Sequence, residues 1–254
     1  DIRSEVRLDE LDTEFTQVTA DFEHRFSDRW ALRGIAGIGE SKHDNPVQTT
    51  LLFDSDNIPG YSYDYRQNSR LPIISYGNAA VTDPAFWHLE QIRLRPQTAD
   101  NKLTTFGADL SWTISDTLSM TGGVQWKEYE FETTELRRSI GTTANQESVI
   151  PAAVAAIPLS EYSRLTSLAR GLGAPSGTTP TWLIPDLAAA ASLFDLYNPA
   201  VFPMGPEPAL GNNRSVTEDD LGVFLQLDFR LADRWRGNIG ARWVETDQTS
   251  RGYA

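Results

Sequence analysis

The chain has no cysteine and only two methionines and three histidines among its 254 residues. Without thiols there is no disulfide framework and no thiolate metal site. Cations are scarce as well: 22 Lys and Arg stand against 35 Asp and Glu, a formal net charge of −13. That balance argues against nucleic acid, whose phosphates call for a basic face. No stretch approaches the ~18 uninterrupted apolar residues of a membrane helix, which excludes an α-helical membrane protein. The same absence does not bear on a barrel, whose strands need only every second residue apolar.

What the chain does have is one turn written three times. Phe26-Ser27-Asp28-Arg29-Trp30, Ile114-Ser115-Asp116-Thr117-Leu118 and Leu231-Ala232-Asp233-Arg234-Trp235 are near copies. Apolar and polar residues alternate on both sides of each, the pattern of a β-hairpin. Before the first turn, Val18, Ala20, Phe22, His24 and Phe26 alternate with Gln17, Thr19, Asp21, Glu23 and Arg25. After it come Trp30, Leu32, Gly34, Ala36 and Ile38. The second hairpin sets Phe106 to Ile114 and Leu118 to Trp126 in the same rhythm, and the third does so with Leu221 to Leu231 and Trp235 to Trp243.

The charged face of these strands does not belong in a dry core, where Asp21, Glu23, Asp109, Asp228 and Arg242 would each be stranded at several kcal/mol. A wet lumen accepts them while the apolar row faces lipid. Aromatic residues beside the turns, Phe26, Trp30 and Trp235, suit an interfacial girdle. The pattern therefore predicts an antiparallel transmembrane β-barrel. Short turns on one side make residues 41–101 and 134–215 the long extracellular loops. Segments 49–54 and 87–95 are expected as β-structure inside the first loop, with eight membrane crossings as the alternative to six. Six strands do not close a barrel, so the chain is expected to be an arc of a larger one, an excerpt of a longer protein. A soluble sandwich with one solvated face is the competing fold.

The loops carry order of their own. Pro158-Leu159-Ser160-Glu161 predicts a helix through Leu172 with Ser160 as N-cap, ended by Gly171 or Gly173. Pro185-Asp186 opens a second helix through Leu196, stopped by Asn198-Pro199. Tyr61, Tyr63 and Tyr65 share a strand face, with Trp87 further along; together with Trp182 and Tyr197 they are the candidate ligand contacts, suited to sugar stacking or flat apolar ligands. The plainer reading is that they pack the loops.

Bond chemistry is not expected. His24, His43 and His88 have no second histidine at ligand spacing. Gly34-x-x-Gly37-x-Gly39 lies within an alternating strand with no helix after it, so it fails the context of a nucleotide loop. Glu218, Asp219 and Asp220 form an acidic cluster, read as solvated charge. Asn213-Arg214-Ser215 matches a glycosylation acceptor, a pattern too short to carry weight. No Ser, His and acid constellation stands out, and no cofactor or metal is expected.

Val216-Thr217-Glu218-Asp219-Asp220-Leu221-Gly222-Val223-Phe224-Leu225-Gln226-Leu227-Asp228 and Gly237-Asn238-Ile239-Gly240-Ala241-Arg242-Trp243-Val244-Glu245-Thr246-Asp247 resemble TonB-dependent outer-membrane receptors, in particular the branch linked to oligosaccharide uptake. Leu193-Phe194-Asp195-Leu196-Tyr197-Asn198-Pro199 and Tyr63-Asp64-Tyr65-Arg66 belong to the same resemblance. It implies a 22-stranded barrel with a plug in its lumen, in the bacterial outer membrane. Residues 1–254 would form part of that single barrel domain, with long extracellular loops carrying short helices; the plug, the TonB box and the other strands lie outside this chain. Its partners would be outer-membrane lipid, the TonB system acting through the plug, and a scarce small-molecule or oligosaccharide ligand. A passive porin and a soluble β-rich binding domain are the alternatives.

Overall fold

A computed structural model describes residues 1–167, 171–232 and 234–253. Thirteen strands are described: β1 (Ile2–Ser27), β2 (Trp30–Ser55), β3 (Tyr61–Asp64), β4 (Ile73–Tyr76), β5 (His88–Leu94), β6 (Gln97–Ser115), β7 (Leu118–Glu135), β8 (Arg137–Arg138), β9 (Ser163–Ser167), β10 (Thr181–Pro185), β11 (Met204–Gly205), β12 (Arg214–Ala232) and β13 (Trp235–Arg251). Two short helices join them, α1 (Ala152–Ala155) and α2 (Leu187–Phe194). The chain is mostly β-sheet and divides into two compact units: residues 1–10, 45–97 and 135–209 form the first, and 11–44, 98–134 and 210–254 the second.

The second unit is a sheet in the order β1-β2-β6-β7-β12-β13. Two-residue turns at Asp28-Arg29 and Asp116-Thr117 close its first two hairpins as expected; Asp233, in the third turn, lies outside the described residues. Register fixes the faces. Leu225 stands opposite Gly122 of β7 and Ala241 of β13. The row Leu221, Val223, Leu225, Leu227 and Phe229 therefore continues into Val124, Gly122 and Met120 on one side and Ile239 and Trp243 on the other. Trp30 stacks on Trp112, centroids 5.2 Å apart. A Cβ on Gly34 would stand 2.1 Å from the Phe22 ring, so glycine there makes room for an aromatic neighbour on the same face. The opposite face is polar: Arg33 pairs with Glu23 at 3.3 Å, Ser111 bonds Thr121 at 3.1 Å, and Arg242 donates to Gln125 at 3.2 Å.

Much of the apolar row is exposed. Phe22 is 54% exposed, Leu225 53% and Ile239 67%. The sheet is not closed, since β1 and β13 end its order without pairing with each other.

The first unit has a buried core that includes Leu51, Phe53, Ile92, Phe194, Leu196 and Phe202. Thr49–Asp54 of β2 pair with His88–Leu94 of β5, matching the β-structure expected inside the first loop. Leu51, Leu52 and Phe53 are all buried, so this stretch is covered on both faces and loses the alternation it shows further back. Helix α2 forms where Asp186 predicted it: its carboxylate accepts from the N–H groups of Ala188 and Ala189, both at 3.1 Å. It ends at Phe194, short of Leu196, because Asp195 turns left-handed at φ 53°.

The helix expected from Pro158 through Leu172 does not form. Leu159–Tyr162 make one 3-10 turn, and the chain then enters β9, which pairs with β10. Ser160 is inside that turn, not at its cap; the capping position belongs to Pro158, which makes no side-chain bond there. Tyr162 is drawn into the core against Phe53 and Phe194, ring centroids 5.9 and 4.8 Å away, and that packing outweighs local propensity. Residues 168–170 of the expected helix lie outside the described residues, and its expected end is a turn in which Gly171 and Gly173 are left-handed at φ 79° and 68°.

Candidate functional site

The tyrosines sit on a small hairpin of the first unit. β3 pairs with β4, setting Tyr61 opposite Tyr76 and Tyr63 opposite Ile74. Tyr61 and Tyr63 share a face as their spacing requires; Tyr65 lies just past the strand and still reaches the row. Ring centroids are 6.3 Å apart for Tyr61 and Tyr63, 6.1 Å for Tyr63 and Tyr65, and 5.6 Å for Tyr61 and Tyr76. All three tyrosines of the 61–65 stretch are at least half exposed. Burial, with Tyr61 beside it, pushes the Tyr76 phenol up. At the end of β3 the Asp64 carboxyl is lowered to about 2, chiefly by hydrogen bonds from the Arg66 side chain and also from its backbone N–H. The arrangement is a contiguous aromatic shelf with a fixed charge pair next to it, able to stack against flat or ring-shaped ligands.

The other three aromatic candidates fall elsewhere in the first unit. Trp87 is buried, and its indole N–H donates to the Val81 carbonyl at 3.1 Å; it is a core residue and offers a ligand no surface. Trp182, opposite Thr166 on β9, is half-buried and packs against the core. Tyr197 is 53% exposed, and its hydroxyl lies 3.2 Å from Oγ1 of buried Thr49. Beside it opens a cavity of about 290 Å³, walled by Val47 and Leu94 on one side and by Leu196, Phe202 and Met204 on the other. The structure thus gathers three of the six predicted residues on one hairpin and sets the others apart.

Sequence reading missed the cavity wall and the ionic cluster that supports it. Glu147 is nearly fully buried, and Arg95 grips it with two bonds of 2.6 and 2.8 Å. Burial alone would raise the Glu147 carboxyl; the Arg95 guanidinium more than offsets this and holds it below the ordinary range. Arg138 donates to the carbonyls of Ile92, Glu147 and Val149, and its guanidinium lies 5.0 Å over the Phe202 ring. The sequence signs of this region were Tyr197 and the Asn198-Pro199 stop after a predicted helix; nothing local marks Glu147 as buried.

The second unit carries a depression of about 420 Å³ on its polar face, rimmed by Asp21, Glu23, Arg33, Asp109, Phe224 and Arg242. His43 bonds Thr13 and His24 packs edge-on against Phe26. Among the described residues no group of three or more His, Asp or Glu is arranged to hold a metal ion. No protein-family model, no curated protein and no solved structure matches this chain.

Proposed function

We propose that the chain is a wall segment of an outer-membrane, TonB-energised uptake receptor for a scarce solute, a 22-stranded barrel of which these six strands are an arc. One observation carries the membrane part: each of the six long strands carries an apolar window of nine or eleven positions whose large side chains are partly to largely exposed. The windows are 18–26, 30–38, 106–114, 118–126, 221–231 and 235–243. Strands of about 9–11 residues, rising ~3.3 Å per residue and inclined by ~45°, climb roughly 20–25 Å, the height of a barrel's lipid belt. Aromatics stand at both margins, with Phe26, Trp30, Trp112 and Trp235 toward the turns and Phe106, Trp126 and Trp243 at the far side. A soluble sandwich would bury this row against a second sheet.

The division of labour follows from that placement. Lipid takes the apolar face, the polar face lines the lumen, and the two long segments stand outside the cell, where Tyr61, Tyr63, Tyr65, Trp182 and Tyr197 meet the ligand. An oligosaccharide is the ligand class the resemblance favours. The receptor captures and passes solute without making or breaking bonds in it.

Because the chain has no cysteine, single cysteines report cleanly on each face. In outer membranes, Leu225→Cys is expected to resist a charged maleimide and Gln226→Cys to react; equal labelling of both sinks the membrane assignment. Uptake that persists in cells lacking TonB replaces the energised receptor with a passive porin.

A further inference from the structure

We propose that the cavity beside Tyr197 is a binding site for a neutral, one-ring apolar molecule bearing a single hydrogen-bond acceptor. The inference uses Tyr197 as a ligand contact, as the uptake reading does, but needs only the first unit and does not depend on the membrane assignment.

The site is built before any ligand arrives. Asn198 anchors the turn that presents Tyr197: its side chain donates to Asp195 and accepts from the Ala200 N–H, and its carbonyl accepts from the N–H groups of Val201 and Phe202. Phe202 and Leu196, at 1% and 0% exposure, are packed from behind and do not collapse inward. Arg138, tied to three carbonyls, backs the Phe202 ring. A volume of about 290 Å³ lies at the lower bound of ligand pockets, which limits the guest to roughly one ring with a small substituent.

Its chemistry is selective. Among the described residues no charged side chain lines it, and Gln48 adds a neutral amide to the wall, so a carboxylate or an amine would enter without a counter-ion. Thr49 and Tyr197 bring two hydroxyls, hence two donors, and their mutual bond uses one. The other O–H is left to donate to a ligand acceptor at the cavity mouth. A ring with a carbonyl or ether oxygen satisfies both walls and hydroxyl; a pure hydrocarbon satisfies only the walls.

The test uses the purified chain, in mild detergent where it requires it, with 4-fluoroacetophenone and 4-fluoroethylbenzene as probes, read by fluorine NMR. The ketone is expected to bind roughly three- to tenfold more tightly than the hydrocarbon, the worth of one hydrogen bond. Tyr197→Phe alone leaves the Thr49 O–H free to donate, so the preference should persist; removing both hydroxyls with Tyr197→Phe and Thr49→Val should bring the two probes level while keeping both bound, and Val47→Trp should expel both. Tyr63→Phe, on the separate aromatic shelf, should change neither. Absence of binding by the unsubstituted chain overturns the proposal, as does binding unaltered by Val47→Trp, which would mark non-specific partition. A ketone preference that survives the loss of both hydroxyls overturns the assigned donors even if Val47→Trp fails to fold. Cysteine labelling of Leu225 and Gln226 is untouched by any of these results, so the two readings fail separately.

Discussion

Glu147 is a carboxylate with 2% of its side chain exposed, kept ionised by a forked guanidinium. A buried pair of this kind adds little net stability over an apolar pair, but breaking it leaves a charge without compensation. Arg95→Ala is therefore expected to cost about 3–5 kcal/mol, seen as faster hydrogen exchange in 88–94 and 135–149. Acid should act on the same group. The native Glu147 carboxyl titrates below the ordinary value of 4.5, so its contribution is complete above that value and is lost as pH falls through the lowered native one. Protection of those segments against exchange, taken relative to the intrinsic amide rate at each pH, should stay flat from neutral pH to about 5 and fall below it; Glu147→Gln should flatten the acid limb. A contrary case lies on β12, where Asp219 faces Asp247 on one neighbour and Glu128 on the other. Like charges across strands repel, so Asp219→Asn should stabilise the sheet by about 0.2–1 kcal/mol in a denaturation midpoint.

Helix α2 and strand β9 show what could be read at the level of elements. Asp186 announced its helix through a local mechanism, a carboxylate placed to accept the first free N–H groups. Asp186→Ala should cost about 1 kcal/mol, with exchange rising first at Ala188 and Ala189. The stretch after Pro158 offered the same kind of signal at Ser160, yet Tyr162 has aromatic partners far off in sequence, at Phe53 and Phe194. Long-range packing of this sort leaves no periodicity behind. The same limit explains Trp87: an aromatic residue in a long connection reads as a ligand contact until its N–H is found on Val81 and its ring in the core. The three hairpins were legible because period-two alternation and a two-residue turn are local properties. In the first unit the paired 49–54 and 88–94 segments and α2 were legible but their packing was not, since its core draws on Leu51, Tyr162, Phe194 and Phe202 from separate stretches.

At the scale of the molecule, the decisive contrast lies between adjacent positions of one strand. On the membrane reading, Leu225→Arg near mid-belt should cost about 2–4 kcal/mol in an insertion or refolding equilibrium, while Gln226→Arg on the opposite face should be nearly silent. The registers add a geometric corollary. Leu118, the turn-side limit of the β7 window, stands opposite Phe229, two positions before the β12 window ends at Leu231. Trp243, the far limit on β13, stands opposite Val223, two positions inside the β12 limit at Leu221. Both offsets slide the window toward the turns as one moves from β7 to β13. A slide averaging about one residue per strand, ~3.3 Å against a strand spacing of ~4.8 Å, corresponds to a slant of roughly 35°. On that reading hydrocarbon lying flat would be crossed on the diagonal, and the tilt a ribbon needs to curl into a cylinder is written into the apolar windows of three neighbouring strands.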